Sequence, residues 1–265
     1  MDLKTIDAAA AAATLRELHR RGDPLVLVNA WDVASAQRVV AAGGRAVGTS
    51  SAAIAASLGL PDDPTAPVDP LFDAVRRIAG GVDVPVTADL LDGYGLAADE
   101  LVERLLGAGA VGCNVEDSDH ARPGSLLDPG VVAERIAALR GAATAAGVDV
   151  VLNARIDAYL HDGAGATPDV VARARRYLAA GADCVYPIGL RDPAVVQEVV
   201  EQLDAPVNAN LGGSGVDVAA LAAAGASRIS IGPTAFRATL ATLDGIAADL
   251  LRGTVPGSLP GVEGE

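Results

Sequence analysis

Short apolar runs alternate along the chain with longer segments that are rich in alanine, leucine and valine. The short runs show no polar alternation, which is typical of parallel strands covered on both faces. The longer segments repeatedly end in Ala-Gly-(Ala/Gly), where a glycine can close a helix in the left-handed conformation. This junction recurs at Ala42–Gly44, Ala108–Ala110, Ala180–Ala182 and Ala224–Ala226. The pattern therefore predicts a repeated strand–helix unit.

The apolar runs predict eight strands: Leu25–Val28, Ala46–Gly48, Val84–Ala88, Val111–Val115, Val148–Leu152, Asp183–Tyr186, Pro206–Asn208 and Arg228–Ile231. The segments between them predict helices, among them Ala97–Leu106, Val131–Ala145, Pro168–Ala179, Pro193–Leu203 and Val216–Ala223. Eight such units behind an extra N-terminal helix favour an α/β fold, a (β/α)₈ TIM barrel.

The barrel is predicted to form one domain over residues 1–252, since no linker-like segment divides it, and residues 253–265 are predicted to form a loose polar tail. An open doubly wound sheet is the alternative fold. That sheet would require G-x-G-x-x-G after the first strand, where this chain reads Asn29-Ala30-Trp31-Asp32.

The amino-acid composition and charge argue against several classes of protein. Of the 265 residues, 51% are hydrophobic, and 20 Lys+Arg against 34 Asp+Glu give a net charge of −14. The apolar content excludes a disordered chain, and the negative charge argues against nucleic-acid binding. No segment suggests a membrane span. The cysteines, Cys113 and Cys184, lie far apart and form no zinc or disulfide pattern, so we expect a cytoplasmic protein.

Polar residues collect where the predicted strands end, which is where such barrels place their active sites. Asp89 and Glu116 follow adjacent strands and could bind one hard cation such as Mg²⁺. No histidine accompanies them there, which disfavours zinc or iron. The guanidinium of Arg155 suits a carboxylate or phosphonate, and the amides near Ser50 and Ser51 could hold an oxyanion. Together these residues indicate a small anionic oxo-acid substrate whose enolate is stabilised by a metal.

Five ordered segments carry a resemblance: Asn29–Asp32, Gly48–Ser51 with Leu58–Asp62, Ala88–Gly95, Asn114–Asp117 and Asn153–Asp157. In these segments the chain resembles the isocitrate lyase/phosphoenolpyruvate mutase superfamily. The resemblance implies a (β/α)₈ barrel that binds Mg²⁺, or Mn²⁺ as the alternative ion. It also implies chemistry that makes or breaks a C–C or C–P bond beside an enolpyruvate-like intermediate. Homo-oligomers, dimers or tetramers that often exchange a helix between barrels, are implied as well.

The resemblance also implies roles for individual residues. Asp89 corresponds to the direct metal ligand, and Glu116 to the acid that holds the metal through water. Arg155 corresponds to the arginine that clamps the substrate, and Asp62 to an acid near the reacting group. The remaining candidates for substrate binding are the backbone of Ser50, Ser51 and Ala52, together with Asn208 and Trp31.

Some of these residues have alternative interpretations. His120, in the loop after the fourth strand, is either a catalytic acid or a solvated loop residue, and Trp31 either contacts substrate or packs at the barrel mouth. Asp89, Glu116 and Arg155 could instead form a purely structural charge cluster. In that case Arg155 would pair with Asp157 or Glu116 to brace the barrel.

Two departures from the family pattern matter. The family reads D-x-[DE]-x-G-Y-G, but here the second acid is replaced by Leu91. Since alternate residues of a strand share a face, the sequence predicts the loss of one metal-binding carboxylate, with Asp92 as a substitute. The lyase loop K-[KR]-C-G-H is also missing, because residues 116–125 contain no cysteine. This disfavours isocitrate or methylisocitrate cleavage and favours the phosphonomutase branch.

Three functional hypotheses follow. The first is a Mg²⁺-dependent, phosphonomutase-like enzyme acting on a 2-oxo acid or an enolpyruvate derivative. The second is a hydrolase or decarboxylase of oxaloacetate-like acids. The third is a catalytically impaired barrel that binds an oxo acid, which Leu91 and the missing loop cysteine would explain.

Overall fold

The computed structural model describes residues 7–212 and 215–256. Within these ranges the strands are β1 (Leu25–Leu27), β2 (Val47–Gly48), β3 (Val86–Asp89), β4 (Gly112–Glu116), β5 (Val151–Ile156), β6 (Cys184–Pro187), β7 (Asn208–Asn210) and β8 (Arg228–Ser230). The helices are α1 (Ala8–Glu17), α2 (Val33–Ala41), α3 (Ser51–Leu58), α4 (Val68–Gly80), α5 (Ala98–Gly107), α6 (Pro129–Ala145), α7 (Ala158–Asp162), α8 (Thr167–Ala179), α9 (Pro193–Leu203), α10 (Val218–Ala223) and α11 (Thr234–Leu251), with a 3₁₀ helix at Gly163–Ala166.

The strands close into a barrel. Strands β2 to β6 pair in chain order, and β1, β8 and β7 form a second parallel group. Two isolated parallel bridges join the groups, from Ala30 to Thr49 and from Val185 to Val207. The chain is therefore the predicted (β/α)₈ barrel, and the alternative of an open doubly wound sheet is wrong.

Several strand boundaries differ from the sequence-based prediction, and the differences change where candidate site residues lie. Strand β5 begins at Val151, because this residue pairs with Gly112 of β4, so Asn153 and Arg155 lie within the strand. Strand β7 likewise extends to Asn210. An apolar run shows where a buried segment lies, but the register with its neighbour sets where pairing begins and ends.

Helix α1 covers one end of the barrel. The carboxylate of Asp7 accepts hydrogen bonds from the amides of Ala9 and Ala10 and so begins the helix. Leu15 is fully buried, and a Cβ placed on Gly112 would come within 2.7 Å of its Cδ2. Because this contact closes the base of the barrel, the carboxyl ends of the strands remain as the open face.

Helix α11, unlike the other long helices, has no side chain fully buried against the barrel. None of its residues is buried, and Leu240, Leu243, Leu250 and Leu251 are exposed. No helix among the described residues is long and apolar enough to cross a membrane. Most of the predicted tail, from residue 257 onward, lies outside the described residues, as do residues 1–6, so the domain boundaries stay a prediction.

Candidate active site

Asp89 ends β3 and faces the start of α3. Its Oδ2 accepts hydrogen bonds from the Ser51 amide at 3.3 Å and from Ser51 Oγ at 3.2 Å. Its Oδ1 lies 3.4 Å from Nδ2 of Asn114. Ser50 caps α3 by accepting a hydrogen bond from the amide of Ala53. The segment around Ser50–Ala52 thus lies directly beside the predicted metal ligand, because α3 begins where β2 ends.

Glu116 ends the neighbouring strand β4, and only 3% of its side chain is exposed. Its Oε1 lies 2.8 Å from Nε2 of His120. Its Oε2 lies 2.6 Å from Nη1 of Arg155, but this ion pair lacks hydrogen-bond geometry, so the buried Oε2 has no hydrogen-bond partner among the described residues. Burial raises the pKa of Glu116. The hydrogen bond to Glu116 in turn raises the pKa of His120.

Arg155 makes the contacts that a bracing residue would make. Its Nε and Nη2 bind the two oxygens of Asp157 at 2.7 and 2.8 Å, while Nη1 faces Glu116. The bracing interaction expected as the alternative is therefore present. A substrate carboxylate would have to compete with Asp157 for this guanidinium, and the clamping role of Arg155 stays a prediction.

A buried network behind Arg155 was missed by the sequence analysis. Asp117 is fully buried and accepts hydrogen bonds from the Asp157 amide at 2.9 Å, Tyr177 Oη at 2.9 Å and Arg173 Nη1 at 3.1 Å. Burial raises the pKa of Asp117. Arg173 and Tyr177 lie four residues apart on one face of α8, and this spacing was the available signal. The network fixes the backbone from which Asp157 holds Arg155.

Asp62 and Tyr94 complete the acidic side of the site. Partial burial raises the pKa of Asp62; a hydrogen bond with Ser51 opposes the shift and nearby Asp89 reinforces it. The structure thus brings Asp62 beside two predicted site residues. Tyr94 is buried, and its pKa is raised by burial and by the charges of Asp89, Asp62 and Glu116. Tyr94 is a site residue that the sequence analysis did not single out, although it stands in the quoted Gly-Tyr-Gly segment.

Leu91 does not lie where the strand pattern placed it. Strand β3 stops at Asp89, and Leu91 has a φ of 50° and packs in the hydrophobic core. Positions 89 and 91 therefore do not share a strand face, so the expectation based on strand alternation is wrong. Asp92, the expected substitute, accepts a hydrogen bond from the Tyr94 amide at 2.9 Å.

Trp31 and Asn208 also make packing contacts. The ring of Trp31 lies edge-on to Phe236, with centroids 5.2 Å apart. Asn208 is fully buried within β7 and donates to Ser230 Oγ and to the carbonyl of Ala209. Asn210 instead occupies the end of the strand, where it donates to Tyr186 Oη at 3.2 Å. The substrate roles assigned to Trp31 and Asn208 stay predictions.

A cleft of about 710 Å³ opens beside Asn210 on the β6–β8 side of the barrel mouth. It is lined by Tyr186, Asn210, Arg191 and Arg237 among others. The acids Asp62, Asp89 and Glu116 belong to the opposite side. The mouth thus carries three acids near β3 and β4, whereas the cleft on the β6–β8 side carries Arg191 and Arg237 together with Asp192.

The donor set can be tested against a magnesium ion. The described residues contain no group of three or more residues that could hold a metal. Mg²⁺ commonly binds one or two carboxylates and keeps several waters. Asp89 and Glu116, two carboxylates that end neighbouring strands, fit such a water-rich site, and Glu116 Oε2 would share its charge between the metal and Arg155 Nη1, which lies 2.6 Å away. They do not fit the closed nitrogen and sulfur shell of a structural zinc.

Comparisons with known proteins identify the family to which the chain belongs. The family model for phosphoenolpyruvate phosphomutase matches residues 15–251. The 2-methylisocitrate lyase of Escherichia coli (strain K12) is 30% identical over 219 residues, which cover 80% of this chain and 71% of the lyase. A Burkholderia cenocepacia J2315 structure, provisionally named a phosphonomutase, has a TM-score of 0.84 at 39% identity and covers 90% of this chain and 99% of its own.

A structure of 2,3-dimethylmalate lyase, a member of the same superfamily, has a TM-score of 0.82 at 26% identity. It covers 96% of this chain, and 91% of the lyase chain is covered. The fold and the matched length define a lyase or mutase class of enzyme. The chain belongs to the isocitrate lyase/phosphoenolpyruvate mutase superfamily, as the resemblance predicted.

Proposed function

We propose that the protein is a Mg²⁺-dependent, phosphonomutase-like enzyme that makes or breaks a C–C or C–P bond of a small 2-oxo acid or enolpyruvate derivative; Mn²⁺ is the alternative ion. The observation that carries the proposal is the placement of Asp89, Glu116 and Arg155 at or near the carboxyl ends of three adjacent strands. Ser51 and Asp62 lie beside them. Two acids and a cation at this edge can hold a metal and an anionic substrate together.

Each group has a role in this scheme. Asp89 and Glu116 would hold the metal, which when bound supplies charge stabilisation for an enolate oxygen. Arg155 and the amides of Ser50–Ala52 orient the substrate carboxylate. His120 lies 2.8 Å from Glu116, so it can keep a proton at Nε2 near the reacting groups. Asp62 lies on the same side as Asp89, interacts with Ser51 and is the acid near the reacting groups.

Thiol chemistry has no suitable residue in this chain. Both cysteines are buried in barrel strands, Cys113 in β4 and Cys184 in β6. Burial raises the pKa of each thiol to about 12, and neither lies in the loop of residues 116–125. This supports the phosphonomutase-like reaction over cleavage of methylisocitrate with a cysteine acid.

Two arginines of the cleft favour a second candidate, a hydrolase or decarboxylase of oxaloacetate-like acids. Arg191 and Arg237 line the cleft and have no side-chain partner among the described residues. They could receive the second carboxylate of such an acid. Replacing either arginine with alanine should raise KM for substrates with a second anionic group and leave kcat nearly unchanged.

Calorimetric titration with Mg²⁺, alone and with oxalate as an enolate mimic, tests the metal-dependent proposals. We expect Mg²⁺ to bind more tightly with oxalate and Asp89→Asn to abolish binding. Asp99→Asn, which changes an exposed acid in the first turn of α5, is the matched control. The absence of Mg²⁺ and Mn²⁺ binding would leave the impaired oxo-acid-binding barrel as the remaining hypothesis. Assays with phosphonopyruvate, oxaloacetate and 2-methylisocitrate then separate the reactions, and ordinary turnover of methylisocitrate would contradict our proposal.

We also propose that the protein is a homo-oligomer, a dimer or tetramer, in which α11 packs on another copy. The exposed leucines of α11 form an apolar patch of the kind that marks a protein–protein interface. A groove on the barrel wall is lined by Val26, Val28, Val39 and Val218 among others. Leu243→Glu should shift the mass measured by analytical ultracentrifugation toward the monomer. A wild-type monomer at micromolar concentration would contradict the proposal.

A further inference from the structure

Arg228 is a charged residue buried inside the barrel. Its side chain belongs to β8, and the residue is only 1% exposed. No carboxylate within the described part of the chain forms an ion pair with it. An unpaired buried charge is destabilising, so the presence of Arg228 needs an explanation beyond filling the barrel.

The hydrogen bonds of Arg228 lead to Asn114. Its Nη2 donates to Asn114 Oδ1 at 3.2 Å, while Nε and Nη1 have no partner among the described residues. Asn153 Nδ2 donates to the same oxygen at 2.8 Å. The other end of the Asn114 amide, Nδ2, faces Asp89 Oδ1 at 3.4 Å. Asn114 therefore links the buried cation to the predicted metal ligand.

These donors leave one orientation for the Asn114 amide. If the amide were flipped, its NH₂ group would face the guanidinium and the NH₂ of Asn153, which are both donors. Its carbonyl oxygen would then face the carboxylate of Asp89, and two acceptors would repel each other. The orientation in the structure avoids both conflicts, and Arg228 supplies a charged donor that enforces it.

We infer that Arg228 is a positioning residue that holds the Asn114 amide so that its NH₂ group orients Asp89 for metal binding. The inference rests on the metal role proposed for Asp89. Partners that orient a metal ligand commonly change metal affinity by about 10- to 100-fold when they are removed.

The direction in which Mg²⁺ affinity changes when Arg228 is replaced distinguishes a positioning role from a simple electrostatic effect. A cation beneath the site repels a metal ion, so loss of the charge alone should tighten Mg²⁺ binding. Loss of a positioning contact should weaken it. Arg228→Met tests the difference, because methionine fills similar space without a charge or a donor. Removing an unpaired buried charge also leaves folding intact or improved.

The experiment is calorimetric titration of the full chain with Mg²⁺ in the presence of oxalate. We expect Arg228→Met to weaken binding about 10-fold. In an Asn114→Leu background the same change should not weaken binding further, because Arg228 acts through Asn114. Ile136→Val, a buried change in helix α6 on the outside of the barrel, should match wild type. Unchanged or tighter binding by Arg228→Met would overturn the inference while leaving the proposed metal function intact.

A second readout does not depend on the metal. In protein labelled with ¹⁵N-asparagine, the side-chain amide of Asn114 should exchange slowly with solvent and should shift and exchange faster in Arg228→Met. If wild type binds no Mg²⁺, the metal function fails, and this spectrum alone decides the orientation of Asn114. An unchanged Asn114 signal would overturn the inference in either case.

Discussion

Arg173 offers a direct test of the buried network behind the candidate site. Its Nη1 lies 3.1 Å from Oδ2 of Asp117, a carboxylate that is fully buried, and also donates to the Leu127 carbonyl at 2.9 Å. Arg173→Met removes the cation and leaves Asp117 with neutral donors alone, the Tyr177 hydroxyl and the Asp157 amide. The buried charge would then lack a counter-charge.

The expected loss of stability in Arg173→Met follows from the burial of Asp117. Removing one partner of a buried ion pair costs about 3–5 kcal/mol. For a chain of this length, each kcal/mol lowers the melting temperature by about 2–4 °C. The variant should therefore melt about 6–20 °C below wild type. Asp117→Asn in the same background should recover part of the loss, because an uncharged amide needs no counter-charge.

The assay is urea and thermal unfolding followed by circular dichroism at one fixed protomer concentration, since assembly also contributes to stability. Arg175→Met is the matched control. Arg175 lies on the same helix and makes one exposed hydrogen bond, to the Gln202 carbonyl, so its loss should cost no more than about 0.5 kcal/mol. If Arg173→Met lowered the free energy of unfolding by less than about 1 kcal/mol, the ion pair between Arg173 and Asp117 would not stabilise the backbone behind the site.

Three further predictions concern the site. Glu116→Gln should lower the pKa of His120, because the hydrogen bond to Glu116 raises it; an unchanged NMR titration would contradict this. In wild type, the stability from this pair is present below the unfolded-state pKa of about 6.5 and is lost as pH rises through the higher folded-state pKa. Leu91→Asp should lower the melting temperature without tightening Mg²⁺ binding, because Leu91 packs in the core; a tenfold gain in calorimetric affinity would refute that placement. Gly93→Ala should destabilise the protein in urea unfolding more than Gly95→Ala. Both glycines have positive φ, but only a Cβ on Gly93 would meet Leu101, at 3.0 Å.

The sequence by itself determined the fold class and predicted the face of the barrel on which the candidate site lies. Apolar runs without alternation, each followed by a helix with a glycine stop, are compatible with few architectures besides a closed parallel barrel. Closure brings the carboxyl ends of all strands to one face. Asp89 and Glu116, which end neighbouring strands, therefore had to lie close together. The order of five motif segments along the chain was enough to recognise the superfamily.

Only the tertiary structure decided which partners these residues have. The register of β5 against β4 places Arg155 opposite Glu116, and the turn after β3 sends Leu91 into the core. Arg228 meets Asn114 across 114 positions of the chain. Local periodicity encodes which face of an element is buried, but not which distant side chain lies opposite. That depends on strand register and barrel closure, and hence on hydrogen bonds between segments far apart in sequence.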